Sequence, residues 1–500
     1  MTPPEAPGVA DATPEPIAAS DGALAAAGPP VPPAGEPPPG RHLWRDLKEA
    51  LAGSEQDFTR GPLPRAIALL AIPMVLEMGM ESLFAVVDAF FVAKLGADAV
   101  ATVGLTEAVL TLVFAIAIGL SMGATALVAR RVGEGDREAA AVTAVQVYAL
   151  GLAVSLAVAV AGFVAAPDIL RLMGASPAVI EGGSGYTRIL LAGSPTVLLL
   201  FLGNAVFRGA GDAAIAMRVL WLANAINIVL DPCLIFGWGP FPELGLAGAA
   251  VATTIGRGVG CLYQLVVLVR HGGRIAIRRR HLRLDRGVLA RLVRVSTGGI
   301  LQYLVATASW IFLVRVIAVF GSVALAGYTL AVRVIIFTVL PSWGLTNAAA
   351  TLVGQNLGAR QPERAERSVW LTARANLVFM AAVALLFLLA PAWLIGLFTD
   401  QAEVIAVGVS CLRWVASCYL VFAYGLVMIQ AFNGAGDTTT PTLLNLLCYW
   451  VWQLPLAWAL AVPLGLGPTG VFIAIASSEI LLGLAGIVLF RRGKWKERVV

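Results

Sequence analysis

The chain has 500 residues, of which 59% are hydrophobic and only 13% are charged. Soluble domains carry roughly 25% charged residues, and the mean hydropathy is +0.84, so a soluble globular fold is excluded and a polytopic membrane protein is indicated. The net charge of +5 does not indicate nucleic-acid binding, because the basic residues are spread over short loops between long apolar runs.

The N-terminal part has two sections of different character. Residues 1–40 are rich in Pro, Ala and Gly and are predicted to be disordered, without the features of a signal peptide. Residues 41–62 are predicted to form an interfacial amphipathic helix on the membrane, with a plain solvated helix as the alternative. Apolar residues recur there at helical spacing: Leu43, Trp44, Leu47 and Leu51.

Twelve apolar spans follow, each long enough to cross a bilayer as a helix. The first six cover residues 64–92, 99–129, 138–165, 184–208, 213–236 and 247–270. The last six cover residues 293–319, 323–354, 368–396, 405–432, 438–463 and 468–490. The predicted domains are six-helix bundles at 63–270 and 293–490, a basic linker at 271–292 and a basic tail at 491–500. The predicted fold is an all-α polytopic membrane protein.

The loop charges predict the orientation of the chain. One set of loops, the linker and the tail carry most of the arginines, whereas the opposite loops hold little beyond Lys94 and Arg171. The positive-inside rule therefore places both termini in the cytoplasm, in a multi-pass protein of the plasma (inner) membrane.

An internal repeat relates the two halves. With a shift of 225 residues, residues 207–212 match 432–437 at five of six positions, both reading Phe-x-Gly-Ala-Gly-Asp. Residues 95–133 match 320–358 without a gap at eleven of thirty-nine positions, including Gly119/Gly344 and Gly133/Gly358. Six spans per repeat predict a parallel repeat, and duplicated transporters place their substrate site between the halves.

Three carboxylates lie on one stripe of the first span. Glu77, Glu81 and Asp88 fall within about 40° of each other at 100° per residue. Ionisable residues in a membrane are costly and are functional candidates. The stripe is expected to face a cavity or the interior of the bundle. The alternative for Glu77 and Glu81 is an ion pair with an arginine of a neighbouring span.

The fifth span adds Asn227 and Asp231 on one face, and the sixth offers the hydroxyl of Thr253. Two neighbouring carboxylates can share a proton, and with an amide and a hydroxyl they can coordinate a hard cation. The alternative for Asp231 is that it caps a break before Pro232. Pro73 lies mid-span, where a proline permits either a functional kink or a static bend.

The second half lacks these acids, since Leu313 and Leu456 replace Asp88 and Asp231 in the repeat register. It offers amide, basic and aromatic side chains instead, which suit amphipathic or cationic organic solutes. The tryptophans can equally serve packing. The candidate substrate-cavity residues are Gln302, Arg333, Gln430 and Trp452.

Other chemistry has little support. The five cysteines lie in apolar stretches without a CxxC pair, and the three histidines lie outside the spans, so neither a metal centre nor a disulfide is indicated. No phosphate-binding loop and no GxSxG or HExxH motif occurs. The chain is therefore predicted not to be an enzyme and to need no cofactor.

These residues together resemble the multidrug and toxic compound extrusion (MATE) family, over nearly all of residues 63–490. The stretches that carry the resemblance are Pro73 to Asp88, the paired Phe-x-Gly-Ala-Gly-Asp turns, Asn227 to Pro232, and Leu352 to Gly358. The resemblance implies two six-helix bundles facing each other in a V, which export drugs and organic cations in exchange for inward H⁺ or Na⁺. The chain looks most like the DinF-like branch. That branch implies a cation site at Asp88, Asn227, Asp231 and Thr253 and a bend at Pro73.

We therefore predict a secondary active antiporter, monomeric in the bilayer, for small cationic or amphipathic organic solutes. Because Glu77 and Glu81 add negative charge to the stripe of Asp88, H⁺ is favoured over Na⁺ as the coupling ion. A flippase for lipid-linked precursors of the same superfamily is an alternative, supported by arginines within the spans. A membrane receptor or membrane-embedded enzyme is a remote one.

Overall fold

The computed structural model describes residues 39–53, 56–270 and 274–498. By packing, the chain divides into Met1–Leu43 and Trp44–Val500. Of the first unit, the structure describes only the start of helix α1, which runs from Pro39 to Ala52. Residues 1–38 of the segment predicted to be disordered, 1–40, lie outside the described residues. Its last two residues form the start of α1. All further features belong to the second unit.

Twelve helical segments of the described chain are long and apolar enough to cross a membrane, and these parts contain no strand. The predicted all-α fold with twelve spans is confirmed. The first half is formed by α2 (Leu63–Ala93), α3 (Ala97–Gly133), α4 (Arg137–Leu172), α5 (Pro177–Ala192), α6 (Ser194–Ala210), α7 (Ala213–Phe236) and α8 (Leu246–Val269).

The second half repeats this order. It is formed by α9 (Arg286–Ala318), α10 (Ser322–Gly358), α11 (Pro362–Leu389), α12 (Pro391–Gly396), α13 (Ala402–Gly434), α14 (Thr439–Asn445), α15 (Leu454–Ala461) and α16 (Pro468–Arg491). A π-helical stretch, Leu446–Gln453, joins α14 to α15 in the eleventh span. Helix α9 begins at Arg286, so residues 286–292, which the sequence placed in the linker, are helical.

Prolines explain where spans differ from their predicted bounds. The ninth predicted span ran to residue 396, but α11 ends at Leu389 and Pro391 starts the short helix α12. Proline disfavours helical geometry in the residue before it, and Ala390 has φ −131° and ψ 36°. In the eleventh span the wide π turn ends just before Pro455, whose ring would clash with a carbonyl of an ordinary α turn.

The repeat is expressed in the backbone. Helices α3 and α10 begin and end 225 residues apart. Each is preceded by a glycine with left-handed φ, 100° at Gly96 and 92° at Gly321, where a side chain would be strained. The internal duplication predicted from the sequence is confirmed.

The halves meet through α2, α3, α9 and α10, with α2 packed on α10 and α3 packed on both α9 and α10. The crossings are related by the repeat. A Cβ added at Gly119 would lie 2.4 Å from the backbone nitrogen of Ile300, and one at Gly344 would lie 2.7 Å from that of Val75. In the repeat register Gly119 corresponds to Gly344, and Val75 corresponds to Ile300. The crossing of α3 with α9 and the crossing of α10 with α2 are therefore related by the repeat, and each leaves room only for glycine.

One end of the spans carries the turn between α3 and α4, the linker before α9 and the C-terminal tail. We call this end the basic end. Here α3 crosses α10. A Cβ at Gly133 would lie 1.9 Å from the carbonyl oxygen of Gln355, and one at Gly358 would lie 2.2 Å from that of Arg130. The two halves are therefore in direct backbone contact at the basic end.

Ion pairs connect helix α1 to the first span. Arg65 of α2 forms ion pairs with Asp46 (3.2 Å) and Glu49 (2.6 Å). Trp44 is 75% exposed, which is compatible with the predicted position of α1 at a membrane interface. That position remains a prediction.

Candidate functional site

Three side chains of the first half form one hydrogen-bonded group between α7 and α8. The amide of Asn227, oriented to satisfy both neighbours, donates from its nitrogen to Asp231 Oδ2 (2.9 Å). Its oxygen accepts from the backbone N–H (2.9 Å) and the hydroxyl (3.0 Å) of Thr253. Asn227 and Asp231 stand one turn apart on α7, so both face α8. The neighbouring Thr254 instead donates to its own helix at Ala250 O (2.8 Å), which leaves Thr253 as the residue in the group.

Asp231 is completely buried, and its Oδ1 has no hydrogen-bond partner within the described parts of the chain. Buried polar atoms without partners are rare and call for an explanation. Asp88 of α2 is half-buried and lies close enough to Asp231 for the two charges to interact. The structure thus brings together the four residues that the sequence placed in one site, with Asp88 approaching the hydrogen-bonded group from α2.

Glu77 is not a free member of the acidic stripe. Its Oε1 accepts from Asn204 Nδ2 (3.0 Å) and forms an ion pair with Arg208 (2.9 Å), and its side chain is 2% exposed. Gln264 of α8 extends this network by donating to Asn204 Oδ1 (2.7 Å). Glu77 Oε2 has no hydrogen-bond partner among the described residues. The ion pair of Glu77 with Arg208 corresponds to the alternative of pairing with an arginine of a neighbouring span.

Glu81 stands between the network of Glu77 and the site of Asp88. Asn224 donates to its Oε2 (3.2 Å), and Arg257 lies 3.9 Å from its Oε1. Arg257 also acts on the charge of Asp88 and lies over the rings of Phe84 and Phe114. One guanidinium is therefore shared by Glu81 and Asp88.

Helix α2 passes Pro73 without interruption from Leu63 to Ala93. Proline has no N–H, so it cannot donate to the carbonyl of Leu69 one turn earlier. The first span is unbroken in this structure but carries a missing backbone hydrogen bond at Pro73.

The four residues predicted to line a substrate cavity in the second half do not form one hydrogen-bonded group. Gln302 is buried on α9, Gln430 donates to Asn347 Oδ1 (2.6 Å), and Trp452 donates to Ser477 Oγ (3.2 Å). Arg333 is exposed, and its charge acts on Glu107 of the first half. Of the four, Arg333 is the one that the structure connects electrostatically to the acidic side.

The site contains residues that the predicted set lacked. Glu107 of α3 interacts electrostatically with both Asp88 and Arg333, and Asn224 completes the polar face of α7. Asn224, Asn227 and Asp231 follow a spacing of three, then four, which marks one helix face and was a usable signal. Arg257 is one of the span arginines that supported the flippase alternative. Its pairing with Glu81 and Asp88 had no such signal, because these two residues lie on another helix.

Comparisons with known proteins identify the family. The MatE family model matches the chain twice, over residues 73–233 and 299–459. The probable multidrug resistance protein NorM of Thermotoga maritima is 28% identical over 443 residues, covering 86% of this chain and 93% of that protein. The FAD transporter of Shewanella oneidensis is 27% identical, with 86% and 95% covered.

Solved structures agree with these matches. The outward-facing conformation of a multidrug resistance MATE family transporter of the MOP superfamily superimposes with a TM-score of 0.82 at 28% identity, covering 87% of this chain and 96% of that one. The two family matches coincide with the two halves of the fold, and the chain is a member of the MatE family of multidrug efflux transporters.

Proposed function

We propose that the chain is a secondary antiporter that exports cationic or amphipathic organic solutes in exchange for inward H⁺, bound between Asp88 and Asp231. The observation that carries this proposal is the buried Asp231 Oδ1 without a partner, beside a second carboxylate. A proton on this oxygen supplies a hydrogen bond and removes a buried negative charge, both of which are favourable in a low-dielectric site.

The bonding pattern around Asn227 favours H⁺ over Na⁺. A hard cation needs several oxygens in a fixed arrangement. The amide oxygen of Asn227 already accepts two hydrogen bonds from Thr253, so this oxygen is directed to its neighbour on α8. The carboxylates of Asp88 and Asp231 remain, which are sufficient for a proton. The expected crowding by Glu77 contributes less, because Arg208 compensates its charge.

Coupling to the shape of the protein runs through α2. Protonation reduces the repulsion between Asp88 on α2 and Asp231 on α7, and α2 has a weak point at Pro73. We propose that α2 bends there once the acids are neutral, and that the bend changes the packing of α2 on α10. A bistable helix of this kind converts a local charge change into a change of access.

The exported solutes are proposed to bind between the halves, where Glu107 and Asp88 supply negative charge and Arg333 limits it. The proposed setting is the plasma (inner) membrane, with the basic end and both termini in the cytoplasm. The close backbone contacts of α3 with α10 at the basic end correspond to a state closed on that side.

The test is transport by the purified chain in proteoliposomes with separately imposed gradients. We expect export of a cationic dye such as ethidium under an inward pH gradient in Na⁺-free buffer, and no export by Asp231→Asn under the same gradient. Export under a Na⁺ gradient alone, with none under the pH gradient, would replace H⁺ by Na⁺ and leave the antiport. Failure of both gradients would overturn the proposal.

The flippase alternative is separated in the same vesicles. A flippase for lipid-linked precursors would translocate a fluorescent polyprenyl pyrophosphate and leave ethidium untouched. Arginines in the space between the halves would serve its anionic head group. Because Arg257 is balanced by Glu81 and Asp88, we expect ethidium transport.

A further inference from the structure

A cleft of about 1060 Å³ opens at the basic end, outside the site proposed for transport. Four parts of the chain line it: the segment between α1 and α2, the first half, the linker at Arg274, and the second half around Gln355 to Gln361. It follows that any molecule filling this cleft touches both halves at the place where α3 and α10 meet.

The lining carries more positive than negative charge. Five arginines line the cleft, namely Arg60, Arg137, Arg218, Arg274 and Arg360, against three carboxylates, Asp57, Glu134 and Asp212. Each carboxylate has its own cation. Asp57 pairs with Arg60 (3.5 Å), Asp212 with Arg274 (3.3 Å), and Glu134 with Arg131 (2.7 Å), which is not a lining residue.

Three arginines are left over. Arg137, Arg218 and Arg360 have no carboxylate within ion-pair distance among the residues described by the structure. Arg218 donates to two backbone carbonyls, those of Ala214 and Ala52, each at 3.2 Å. Arg137 and Arg218 belong to the first half and Arg360 to the second, so the uncompensated charge is shared across the interface.

Arg360 has an unfavourable backbone. Its φ is 58°, and it is the one non-glycine residue with positive φ in the described chain. The repeat-related position in the first half is Gly135, with φ 77°, which lines the same cleft. Glycine adopts this conformation without strain, whereas arginine does not. The second half thus carries Arg360 at the position where the first half has Gly135, the residue type that suits this turn. Strained backbone positions of this kind cluster at functional sites.

We infer that this cleft binds a phosphate-bearing anion that joins the two halves at the basic end through Arg137, Arg218 and Arg360. The planar guanidinium group matches the oxygens of phosphate and is the preferred side chain for this class of ligand. The volume of the cleft leaves room for a phosphate group alone or on a larger body. The source is either a soluble phosphate or the head group of an anionic lipid.

The test measures thermal unfolding of the purified full chain by intrinsic tryptophan fluorescence. Pyrophosphate is titrated in detergent, with sodium chloride at matched ionic strength as the control. In a second arm, nanodiscs of phosphatidylcholine alone are compared with nanodiscs containing phosphatidylglycerol. We expect a rise in Tm with pyrophosphate, with phosphatidylglycerol, or with both, and the responding arm identifies the source.

The Arg360→Gly variant separates binding from folding, because glycine relieves the strained turn. We expect it to have an unchanged or higher Tm without ligand and to bind the responding probe about tenfold more weakly. Arg218→Gln should weaken binding similarly. The control Arg171→Gln removes an exposed arginine that pairs with Asp168 near the far end of α4, and it should behave as the wild type. Wild-type affinity in both cleft variants, or no Tm shift in either arm, would overturn the inference.

Discussion

Arg274 binds Asp212 through two groups: its backbone N–H donates to Oδ2 (2.7 Å), and its guanidinium lies 3.3 Å from Oδ1. The repeat-related Asp437 is bound by Arg498 at 3.2 Å. In each half, the segment that follows the sixth span returns to the aspartate of the Phe-x-Gly-Ala-Gly-Asp turn. The two turns are therefore anchoring points for the linker and for the C-terminal tail.

The same arginine also holds the segment before the first span. The guanidinium of Arg274 lies 4.7 Å from the ring centre of Phe58, which is 1% exposed. Arg364 of the second half donates to the carbonyls of Phe58 (3.3 Å) and Arg60 (2.9 Å). Phe58 is thus contacted by the linker and by the second half at the basic end.

Removing these two ion pairs should have unequal effects. In the first half both partners are largely buried, whereas the Arg498 side chain is 53% exposed. We expect Asp212→Ala to lower the free energy of unfolding by about 3 kcal/mol and the loss of the Arg498 pair, tested by Arg498→Ala, to cost about 0.5 kcal/mol. Thermal unfolding of the purified variants measures the difference. Equal losses would show that burial does not govern these pairs.

Glu77 and Asp88 should separate stability from transport. Glu77→Gln leaves the buried Arg208 without its carboxylate, so we expect a loss of about 3 kcal/mol in stability. Asp88→Asn removes a half-buried charge and should keep normal membrane levels and Tm while abolishing gradient-driven export. The measurements are Tm and ethidium export in proteoliposomes. Full export by a well-expressed Asp88→Asn variant contradicts the coupling role.

Two adjacent threonines provide a matched pair for the hydrogen-bonded group. Thr253→Val removes the hydroxyl that contacts Asn227, and the lost hydrogen bond is worth about 1 kcal/mol. Because Asn227 then holds Asp231 less firmly, the external proton concentration for half-maximal export should shift about fivefold. Thr254→Val removes a hydroxyl that bonds within its own helix and should leave the pH dependence unchanged. Indistinguishable pH profiles of the two variants would remove Thr253 from the site.

The glycine crossing at the basic end should not tolerate a methyl group. A Cβ at Gly358 would lie 2.2 Å from the carbonyl of Arg130, so Gly358→Ala should prevent the close approach of α3 and α10 and lower Tm. Gly104→Ala, on the outer part of α3 with nothing within 4 Å, is the control and should be neutral. Crosslinking yield between cysteines placed at Arg137 and Gln361 measures the closure. An unchanged yield in Gly358→Ala would contradict the expected separation.

Truncation should distinguish the N-terminal tail from the segment that follows α1. Deletion of residues 2–38 retains the ion pairs of Arg65 with Asp46 and Glu49 and should leave membrane insertion and export intact. Phe58→Ala removes a fully buried ring and should cost about 3 kcal/mol. Both are measured by membrane level, Tm and export. Lost export in the deletion, at normal membrane level, would assign a function to the tail.

Composition, periodicity and the repeat were enough to predict the twelve spans, their pairing into two halves and the family. These features depend on local physics: a membrane helix must be apolar along its length and must satisfy its own backbone. The face of α7 that carries Asn227 and Asp231 followed from helical spacing for the same reason. The predicted end of the ninth span is wrong because the apolar run continues past Pro391. The proline itself is the local signal for the break between α11 and α12.

Tertiary packing alone decided which charges are compensated. Glu77, Glu81 and Asp88 share one stripe and are alike in sequence, yet Arg208 neutralises Glu77, and Arg257 is shared by Glu81 and Asp88. Asp231 of α7 forms no ion pair within the described parts of the chain. In each of these ion pairs and charge interactions, the acid and the arginine lie on different helices and are more than a hundred residues apart in sequence. Helix periodicity places a side chain on a face but carries no information about the helix opposite. The partner, and with it the difference between a structural acid and a candidate coupling acid, exists only once the bundle is assembled.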